Sequence, residues 1–489
     1  MKNKPFFLFF VFCFLVPGSA IHADSPRTMP KNLILMIGDG MGFNQHIAGT
    51  YWRFGELGRQ TYEKFPVHCG VTTFCTRSTE PIPPYFPGYN PSAFWAGMEG
   101  AFLPTELTEA TDSTAAATAL YTGVKTKVDR LSVDPNGKSL ETIGTIAHRR
   151  GKSVGVVTTV QTWDATPGAV AAHNIDRYHA DEILDEMIFQ SPLKVIIGSG
   201  HPLRGRQIEK FQGQTEDHQK QPEYGDVGGE TMWKKLQEGS ANGFVLLETK
   251  DDFQKIAQAQ GNVPQKIAGF PNVSQPIAPI DGLPDGVESD EVNRVFLEVI
   301  GDRPVEKTPT LSLMSLAAIN VLRQNDQGFF VMIEGGAIDW ACHARSPERT
   351  IMEQTAFAKA VDTVCDWVEK NSSWDETLVI VTADHETAQL WGSGTYFDKN
   401  NDRRFETLND IFLEFQPIQN NGRGKIPGMQ FGFTNHSNAL VPLWAKGPGS
   451  SSFEKYIRGT DEKAGRFWNF SGRYIDNTDV FRVLKDCLE

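Results

Sequence analysis

The sequence predicts an α/β protein in which one large, mainly parallel sheet is flanked by helices on both faces. Short apolar, β-branched runs recur along the chain, and each is followed by a longer helical pattern. Such alternation is typical of strands that run in one direction and are joined by helical crossovers. The predicted strands are NLILMI (32–37), SVGVVTT (153–159), KVIIG (194–198), GFFVMI (328–333), TLVIVTA (377–383) and ALVPLWA (439–445).

The N-terminus is predicted to be a signal peptide over residues 1–23. Two lysines precede an apolar run from Pro5 to Pro17, and small residues follow at which a signal peptidase could cut, after Ala20 or after Ala23. We therefore expect export to the periplasm or the extracellular space. No later apolar segment approaches the roughly 20 residues that span a bilayer, so we expect no membrane span in the mature chain.

The composition favours a globular protein that acts on a small substrate. Hydrophobic residues make up 40% of the chain and charged residues 22%, which excludes a disordered or collagen-like protein. The formal net charge of -13 repels phosphate backbones and anionic lipids, and no basic patch is evident. We therefore expect no binding to nucleic acid.

Three stretches lack a regular pattern and are predicted to be inserts. The first, at about 79–107, is rich in Pro and aromatic residues, and the second, at about 200–305, is rich in Gly, Gln and Pro. The third, at about 391–433, is polar and contains Gly. Long irregular stretches of this kind commonly carry function or connect the elements of a larger domain.

Acidic and histidine side chains follow four of the predicted strands. The carboxyl ends of parallel strands meet at one edge of a sheet, so these side chains are expected to converge there. Bringing several carboxylates together costs several kcal/mol unless cations compensate, which favours divalent metal ions as the occupants. The residues concerned are Asp39, Asp164, Thr166, Glu334, Asp384 and His385.

The segment MIEGGAIDWACH adds a second metal-binding pattern. Asp339 and His343 are four residues apart, which places both on one face of a helical turn. A surface ion pair at this spacing is an equally good interpretation of the pair alone. Imidazole beside carboxylate favours zinc, whereas a set of oxygen ligands suits magnesium.

The remaining histidines divide into one candidate ligand and several structural residues. His436, in NHSNALVPLWAKGP, is a candidate ligand because its motif also adjoins a predicted strand, although a loop histidine with ordinary hydrogen bonds would look the same. The other histidines, including His46 and His173, are expected to be structural.

The stretch TDSTAAATALYTG predicts a helix that begins near Ser113 and stops at Gly123. Ser113 could serve only as the N-cap of this helix. A helix N-terminus is also a natural phosphate site, and a serine hydroxyl beside a metal can ionise and act as a nucleophile. The small residues behind Ser113 would let the helix pack closely against the sheet.

Taken together, these segments resemble the alkaline phosphatases. The matching pieces appear in the order of the family and extend from about residue 32 to 449. They are LILMIGDGMG, TDSTAAATALYTGVKT, DATPGAVAAHNIDR, GFFVMIEGGAIDWACH, VIVTADHET and TNHSNALVPLWAKGPG. The resemblance implies one catalytic domain over 24–489 that carries the three inserts, and an assembly into homodimers.

The resemblance also implies roles for individual residues. Ser113 would be the nucleophile that becomes phosphorylated, and Arg177 would grip two phosphate oxygens with Asp112 in support. Without the motif, Arg177 would be read as a solvated charge at a helix end. Trp340 occupies a position where family members carry Lys, His or Trp, and a tryptophan cannot hold phosphate through water as a lysine does.

A centre of two zinc ions and one magnesium ion is implied in the same way. The implied ligands are Asp384 and His385 for one zinc, Asp339, His343 and His436 for the other zinc, Glu334, Thr166 and Asp164 for magnesium, and Asp39 as a bridge between the first zinc and the magnesium. Asp164 would reach the magnesium directly or through a water molecule.

The implied reaction is the hydrolysis of phosphate monoesters in two in-line steps through a phosphoserine. A related hydrolase of phosphodiesters, sulfates or phosphonates would reuse the metal centre, but such relatives usually lack the Asp-Ser helix and the Arg177 match. A secreted phosphate-binding protein without catalysis would be expected to lack the nucleophile or a ligand, and none is missing here.

Overall fold

The computed structural model of the chain describes residues 29–76, 89–95, 110–203, 222–301, 303–395 and 415–489. The predicted signal peptide (1–23) lies outside the described residues. So does most of the predicted insert at 79–107 and the middle of the insert at 391–433.

The described residues form fifteen strands. They are β1 (Asn32–Gly38), β2 (Val67–Thr72), β3 (Ser153–Gln161), β4 (Leu193–Ser199), β5 (Val245–Leu247), β6 (Ile267–Gly269), β7 (Phe329–Gly335), β8 (Thr377–Thr382), β9 (Glu386–Thr387), β10 (Leu390–Gly392), β11 (Met429–Phe431), β12 (His436–Ser437), β13 (Val441–Lys446), β14 (Gly459–Thr460) and β15 (Arg473–Asp476).

The same residues form fourteen α-helices. They are α1 (Phe43–Phe54), α2 (Pro91–Trp95), α3 (Ser113–Thr122), α4 (Ile143–Arg149), α5 (Ala165–Gly168), α6 (Ala180–Asp185), α7 (Glu230–Gln237), α8 (Lys250–Ala257), α9 (Asp290–Ile300), α10 (Leu311–Leu322), α11 (Ala337–His343), α12 (Pro347–Asn371), α13 (Glu462–Trp468) and α14 (Asn477–Asp486). None of the helices in this part of the chain is both long and apolar enough to cross a bilayer.

Eleven strands make one sheet in the order β14–β15–β2–β13–β8–β1–β7–β3–β4–β6–β5. From β8 to β5 every neighbouring pair is parallel. The strand β13 is antiparallel to both of its neighbours, and β14 is antiparallel to β15. The predicted fold class is therefore confirmed, and all six predicted strands are present, although the last of them runs against the others.

The central strands are covered on both faces. Every residue of β1, β3, β7 and β8 is buried, as continuous apolar runs in a parallel sheet require. The helices α10 and α12 supply much of the cover, since α10 contacts β3, β4 and β7 and α12 contacts β1 and β7. The buried central strands therefore position the residues that follow their carboxyl ends.

The stretch at 200–305 is more regular than its sequence indicated. It contains α7, α8 and α9, and its strands β5 and β6 extend the main sheet beyond β4. Each of these strands has only three residues, which is too short for the alternation that predicts a strand. The boundaries of the three inserts remain predictions.

The register of the sheet brings the ends of the central strands together. Ile37 lies beside both Glu334 and Thr382, and Glu334 in turn lies beside Thr158 on its other side. Residues that follow these positions therefore emerge from one edge of the sheet.

Candidate active site

Four neighbouring strands deliver the predicted polar residues to this edge. Asp39 follows β1, Asp384 and His385 follow β8, and Glu334 is the penultimate residue of β7. Asp164 follows β3 and caps the short helix α5 by accepting a hydrogen bond from the amide of Ala165 at 2.7 Å. All of them except Asp164 are buried.

Asp39, Asp384 and His385 form the first ligand cluster. One ligand atom from each lies within 4.8 Å of the other two. His385 Nε2 lies 3.2 Å from Asp384 Oδ2 and 3.6 Å from Asp39 Oδ1. The backbone amides of Gly40 and His385 donate to the other oxygen of Asp384 at 3.1 and 2.8 Å, which fixes the direction of the carboxylate.

Asp339, His385 and His436 form the second ligand cluster, in which one ligand atom from each again lies within 4.8 Å of the others. His343 adjoins it, because His343 Nε2 lies 3.2 Å from Asp339 Oδ2. His436 Nε2 lies 3.4 Å from Asp339 Oδ1. The helical spacing of Asp339 and His343 thus produces a contact inside the site, and the pair is not an isolated surface ion pair.

In His343 and His436, the nitrogen that faces away from Asp339 has a hydrogen-bond acceptor. His436 Nδ1 lies 2.8 Å from the carbonyl oxygen of Thr111, and His343 Nδ1 contacts the carbonyl oxygen of Thr434. A carbonyl can only accept, so both Nδ1 atoms carry hydrogens and both Nε2 atoms present lone pairs when the rings are neutral. These two Nε2 atoms are 3.1 Å apart, an arrangement that a shared cation would stabilise.

Several buried oxygens at the site have no hydrogen-bond donor. They are Asp39 Oδ1, Asp384 Oδ2 and Glu334 Oε1. The other oxygen of Glu334 accepts from the hydroxyl of Thr158. Buried anionic oxygens without donors are costly unless cations lie beside them, and carboxylates and imidazoles are the ligands that divalent cations use.

The pKa values of these groups reflect the crowding of negative charge. Burial raises the pKa of Glu334 to about 8, and Asp164 and Asp384 add to the effect. Burial and the charge of Asp339 raise the pKa of Asp384 to about 7. Burial, with Asp384 as the next largest cause, also raises the pKa of Asp39. Without cations, the site therefore resists full ionisation.

Asp339 behaves in the opposite way because histidines face it. Burial favours its neutral form, but hydrogen bonds that Nε2 of His343 and of His436 donate when these rings are protonated outweigh burial and hold the pKa of Asp339 well below its usual range. Burial lowers the pKa of His385, and His436 adds to that effect, so its imidazole stays neutral and able to act as a ligand.

Ser113 is the first residue of α3 and is not its N-cap. Asp112 is the N-cap, and its Oδ1 accepts a hydrogen bond from the amide of Ala115 at 2.9 Å. The hydroxyl of Ser113 is therefore available, and its Oγ lies 3.1 Å from His385 Nε2. The small residues that follow are fully buried, which lets the N-terminus of α3 come close to the strand ends.

Arg177 is held by two carboxylates and is not a solvated charge. One terminal nitrogen donates to Asp112 Oδ2 at 3.1 Å, and the other donates to Asp164 Oδ1 at 2.8 Å. Only 16% of its side chain is exposed. Burial alone would lower the pKa of Arg177, but Asp164 and Asp112 raise it, so the guanidinium is always charged.

A cavity of about 710 Å³ opens above these groups. Ser113, Arg177 and Asp339 line it, together with His343 and His436. The nucleophile candidate, the guanidinium and one ligand cluster therefore face a common space, large enough for a small substrate.

Sequence reasoning missed several residues that support the site. Thr387 donates to Asp339 Oδ1 at 2.5 Å, and Thr158 donates to Glu334. Thr387 lies inside the VIVTADHET motif, so a signal for it was present, whereas Thr158 looks like any threonine of a buried strand. Thr166 is buried, and its hydroxyl favours the ionised form of Glu334.

The two histidines predicted to be structural bond elsewhere. His46 Nδ1 lies 3.1 Å from the hydroxyl of Tyr62, and His46 Nε2 lies 3.3 Å from Glu63. His173 Nδ1 lies 2.7 Å from Glu186.

Comparison with known proteins adds the family. The model of the alkaline phosphatase family matches residues 30–405. Alkaline phosphatase 4 of Bacillus subtilis (strain 168) is 26% identical over 399 residues, which cover 72% of this chain and 75% of that protein. The alkaline phosphatase of Escherichia coli (strain K12) is 28% identical over 384 residues, which cover 74% and 71%.

Solved structures agree in fold. The alkaline phosphatase of the Antarctic bacterium TAB5 has a TM-score of 0.58 at 24% identity, with 94% of this chain and 98% of that chain covered. The cold-active enzyme of a Shewanella species has a TM-score of 0.60 at 22% identity, with 94% and 100% covered. Because the family model matches most of the chain, this protein belongs to the metal-dependent alkaline phosphatase family and is a phosphatase that acts on phosphate monoesters.

Proposed function

We propose that this enzyme hydrolyses small phosphate monoesters through a phosphoserine on Ser113, at a centre of two zinc ions and one magnesium ion. The observation that carries the proposal is the 3.1 Å separation between Ser113 Oγ and His385 Nε2. His385 belongs to both ligand clusters, so the hydroxyl lies where the two clusters meet.

The donor sets fit these ions. Asp39, Asp384 and His385 would hold one zinc, and Asp339, His343 and His436 would hold the other. The oxygen set of Glu334, Thr166 and Asp164, with Asp39 as a bridge, suits magnesium. Bound at these positions, the ions supply positive charge that lowers the pKa of the serine hydroxyl and stabilises the departing alkoxide.

Ser113 and Arg177 have different roles in the reaction. Ser113 Oγ attacks phosphorus, the bond from phosphorus to the ester oxygen breaks, and the alcohol leaves with a proton. Water next attacks the phosphoserine, which releases inorganic phosphate and restores the hydroxyl. Arg177 donates to two phosphate oxygens in both steps, and its contacts with Asp112 and Asp164 keep the guanidinium in place.

The proposed nucleophile is tested by replacing Ser113 and measuring turnover, phosphate labelling and bound metal. We expect Ser113→Ala to abolish monoester turnover and acid-stable labelling by a ³²P-monoester, while zinc and magnesium measured by elemental analysis stay at wild-type stoichiometry. Ser289→Ala, at the N-cap of α9 and outside the site, is the matched control and should retain turnover. Retention of turnover by Ser113→Ala would show that the nucleophile is a different group.

The competing function is a diesterase or sulfatase on the same metal centre. Rates on a monoester, a diester and a sulfate ester of the same alcohol separate these activities. A dominant monoester rate supports the proposal, and a dominant diester or sulfate rate contradicts it.

Export and assembly belong to the same proposal. We expect the mature chain to begin after Ala20 or Ala23, which N-terminal sequencing of secreted protein would show. Light scattering of the mature protein should give the mass of a homodimer, and the mass of one chain would contradict that part of the proposal.

A further inference from the structure

Aromatic side chains surround the chemical groups of the cavity. Trp163, Tyr178, Trp340 and Phe433 line the same space as Ser113. Three of them are direct neighbours in sequence of charged site residues, because Trp163 precedes Asp164, Tyr178 follows Arg177 and Trp340 follows Asp339. The backbone that places each charge therefore also places a ring beside it.

One edge of the cavity carries an exposed aromatic side chain. Among the described residues, six large hydrophobic side chains are exposed, and two of them, Ile175 and Tyr178, lie in the loop that carries Arg177. Tyr178 is 70% exposed and also lines the cavity. Exposed apolar groups at the mouth of a binding site are typical of a surface that a ligand covers.

One of these rings, that of Trp163, is held by a hydrogen bond on the side away from the cavity. Trp163 Nε1 donates to Asp226 Oδ1 at 3.1 Å, and Asp226 is itself buried beside β4 in the turn Gly225–Val227. Because its N–H group already donates to Asp226, the indole of Trp163 faces the cavity with its carbon atoms. A ring fixed in this way loses little conformational freedom when a ligand packs against it.

The charges of the cavity oppose a second anionic group. Among the described residues that line it, the positive side chain is Arg177, and no lysine is present. Arg177 is already paired with Asp112 and Asp164, and Asp129 adds a further carboxylate to the wall. A ligand with one phosphate can use the guanidinium and the ligand clusters, whereas an additional phosphate would face carboxylates.

We infer that the leaving-group side of the cavity selects phosphomonoesters of uncharged aromatic alcohols over those of small polar alcohols and over polyphosphates. This inference rests on the proposed function, because the phosphate must be anchored at Ser113 and Arg177 for the alcohol to reach the rings. Trp340 and Tyr178 are the specificity-determining residues, since Trp340 adjoins Asp339 of one ligand cluster, Tyr178 adjoins Arg177, and both line the cavity.

Phosphonate inhibitors give the cleanest test because they lack the ester bond, so that the acidity of the leaving alcohol plays no part. We expect the metal-loaded wild-type enzyme to bind benzylphosphonate about tenfold more tightly than methylphosphonate. The double variant Tyr178→Ala, Trp340→Ala should bring the ratio of the two inhibition constants close to one. Using the ratio cancels any change in phosphate anchoring.

Two further variants separate recognition from folding. Trp340→Phe keeps a ring and should keep most of the preference. Tyr456→Ala removes a tyrosine that bonds Asp486 outside the cavity and should leave the ratio at its wild-type value. A ratio near one in the wild type, or one that the double variant does not change, overturns the inference.

The failure of this inference differs from the failure of the proposed function. If benzyl phosphate and ethyl phosphate are both hydrolysed while the inhibitor ratio is near one, monoester hydrolysis stands and aromatic selection is wrong. If neither ester is hydrolysed, the proposed function is wrong and the inference falls with it.

Discussion

Thr387 donates a hydrogen bond of 2.5 Å to Asp339 Oδ1. The same hydroxyl lies 3.3 Å from His385 Nδ1, so it can accept the hydrogen of that ring and leave Nε2 free as a ligand. Thr387 thus orients one residue of each ligand cluster through a single buried oxygen, although it belongs to neither set.

Replacing that hydroxyl should weaken the metal centre. We expect Thr387→Val to lower metal retention and kcat/KM by about 10- to 100-fold, because ligand orientation by such neighbours contributes that much. Thr387→Ser should restore most of the loss. Elemental analysis after dialysis against a weak chelator measures retention, and the control is Thr355→Val, which removes a buried hydroxyl on α12. Equal losses in Thr387→Val and Thr355→Val would contradict the assignment.

Arg177→Lys tests the geometry of phosphate binding. A lysine keeps the charge but cannot donate two parallel hydrogen bonds or span Asp112 and Asp164. We expect the inhibition constant of inorganic phosphate to rise at least about tenfold. Arg458→Lys is the matched control, because Arg458 donates twice to Asp479 outside the cavity. An unchanged phosphate constant in Arg177→Lys would mean that the guanidinium does not bind phosphate.

Chelation should destabilise the enzyme as well as inactivate it. Without cations, one buried oxygen each of Asp39, Asp384 and Glu334 lacks a hydrogen-bond donor. Ions present at 100 times their dissociation constant stabilise the folded state by about 2.7 kcal/mol per site, so Tm should fall on chelation and recover when zinc and magnesium are added back.

Scanning calorimetry with and without chelator measures this effect. The variant Glu334→Gln should show a smaller fall, because it removes one of the charges that the ions neutralise. A Tm that is the same with and without chelator would show that no structural cation is bound.

A buried glutamate outside the described site, Glu353, should make stability depend on pH. Burial raises the pKa of Glu353 to about 7, although Arg349 and Arg303 oppose the shift and Asp281 adds to it. An unfolded chain releases this proton near pH 4.5, whereas the folded chain keeps it until about pH 7. Stability is therefore lost as pH rises through this window, by about 3 kcal/mol in total.

Glu353→Gln should remove that loss. We expect the free energy of unfolding of Glu353→Gln, measured by urea titration of metal-loaded protein, to increase relative to that of the wild type as pH rises from 4.5 to 7. The control Glu298→Gln changes a glutamate whose side chain is 51% exposed and should follow the wild type. Parallel pH curves for the wild type and Glu353→Gln would show that Glu353 ionises normally.

The predictable part of the fold consists of long, mainly apolar strands. NLILMI and TLVIVTA became β1 and β8 within one residue, because a strand covered on both faces is mainly apolar. The strand β2 (VHCGVT) was missed, since its histidine, cysteine and glycine interrupt that pattern. The strands β5 and β6 were missed because three residues carry too little periodicity.

The sequence by itself determined the six predicted strands and which ligand-type residues follow them, since burial and turn chemistry are local constraints that each segment meets alone. Only the tertiary structure decided that Ser113 Oγ lies beside His385 Nε2, and that Arg177 reaches two carboxylates from different elements. Those outcomes depend on side-chain directions across segments far apart in sequence. They become defined only when the sheet register and helix packing bring the segments within hydrogen-bond distance.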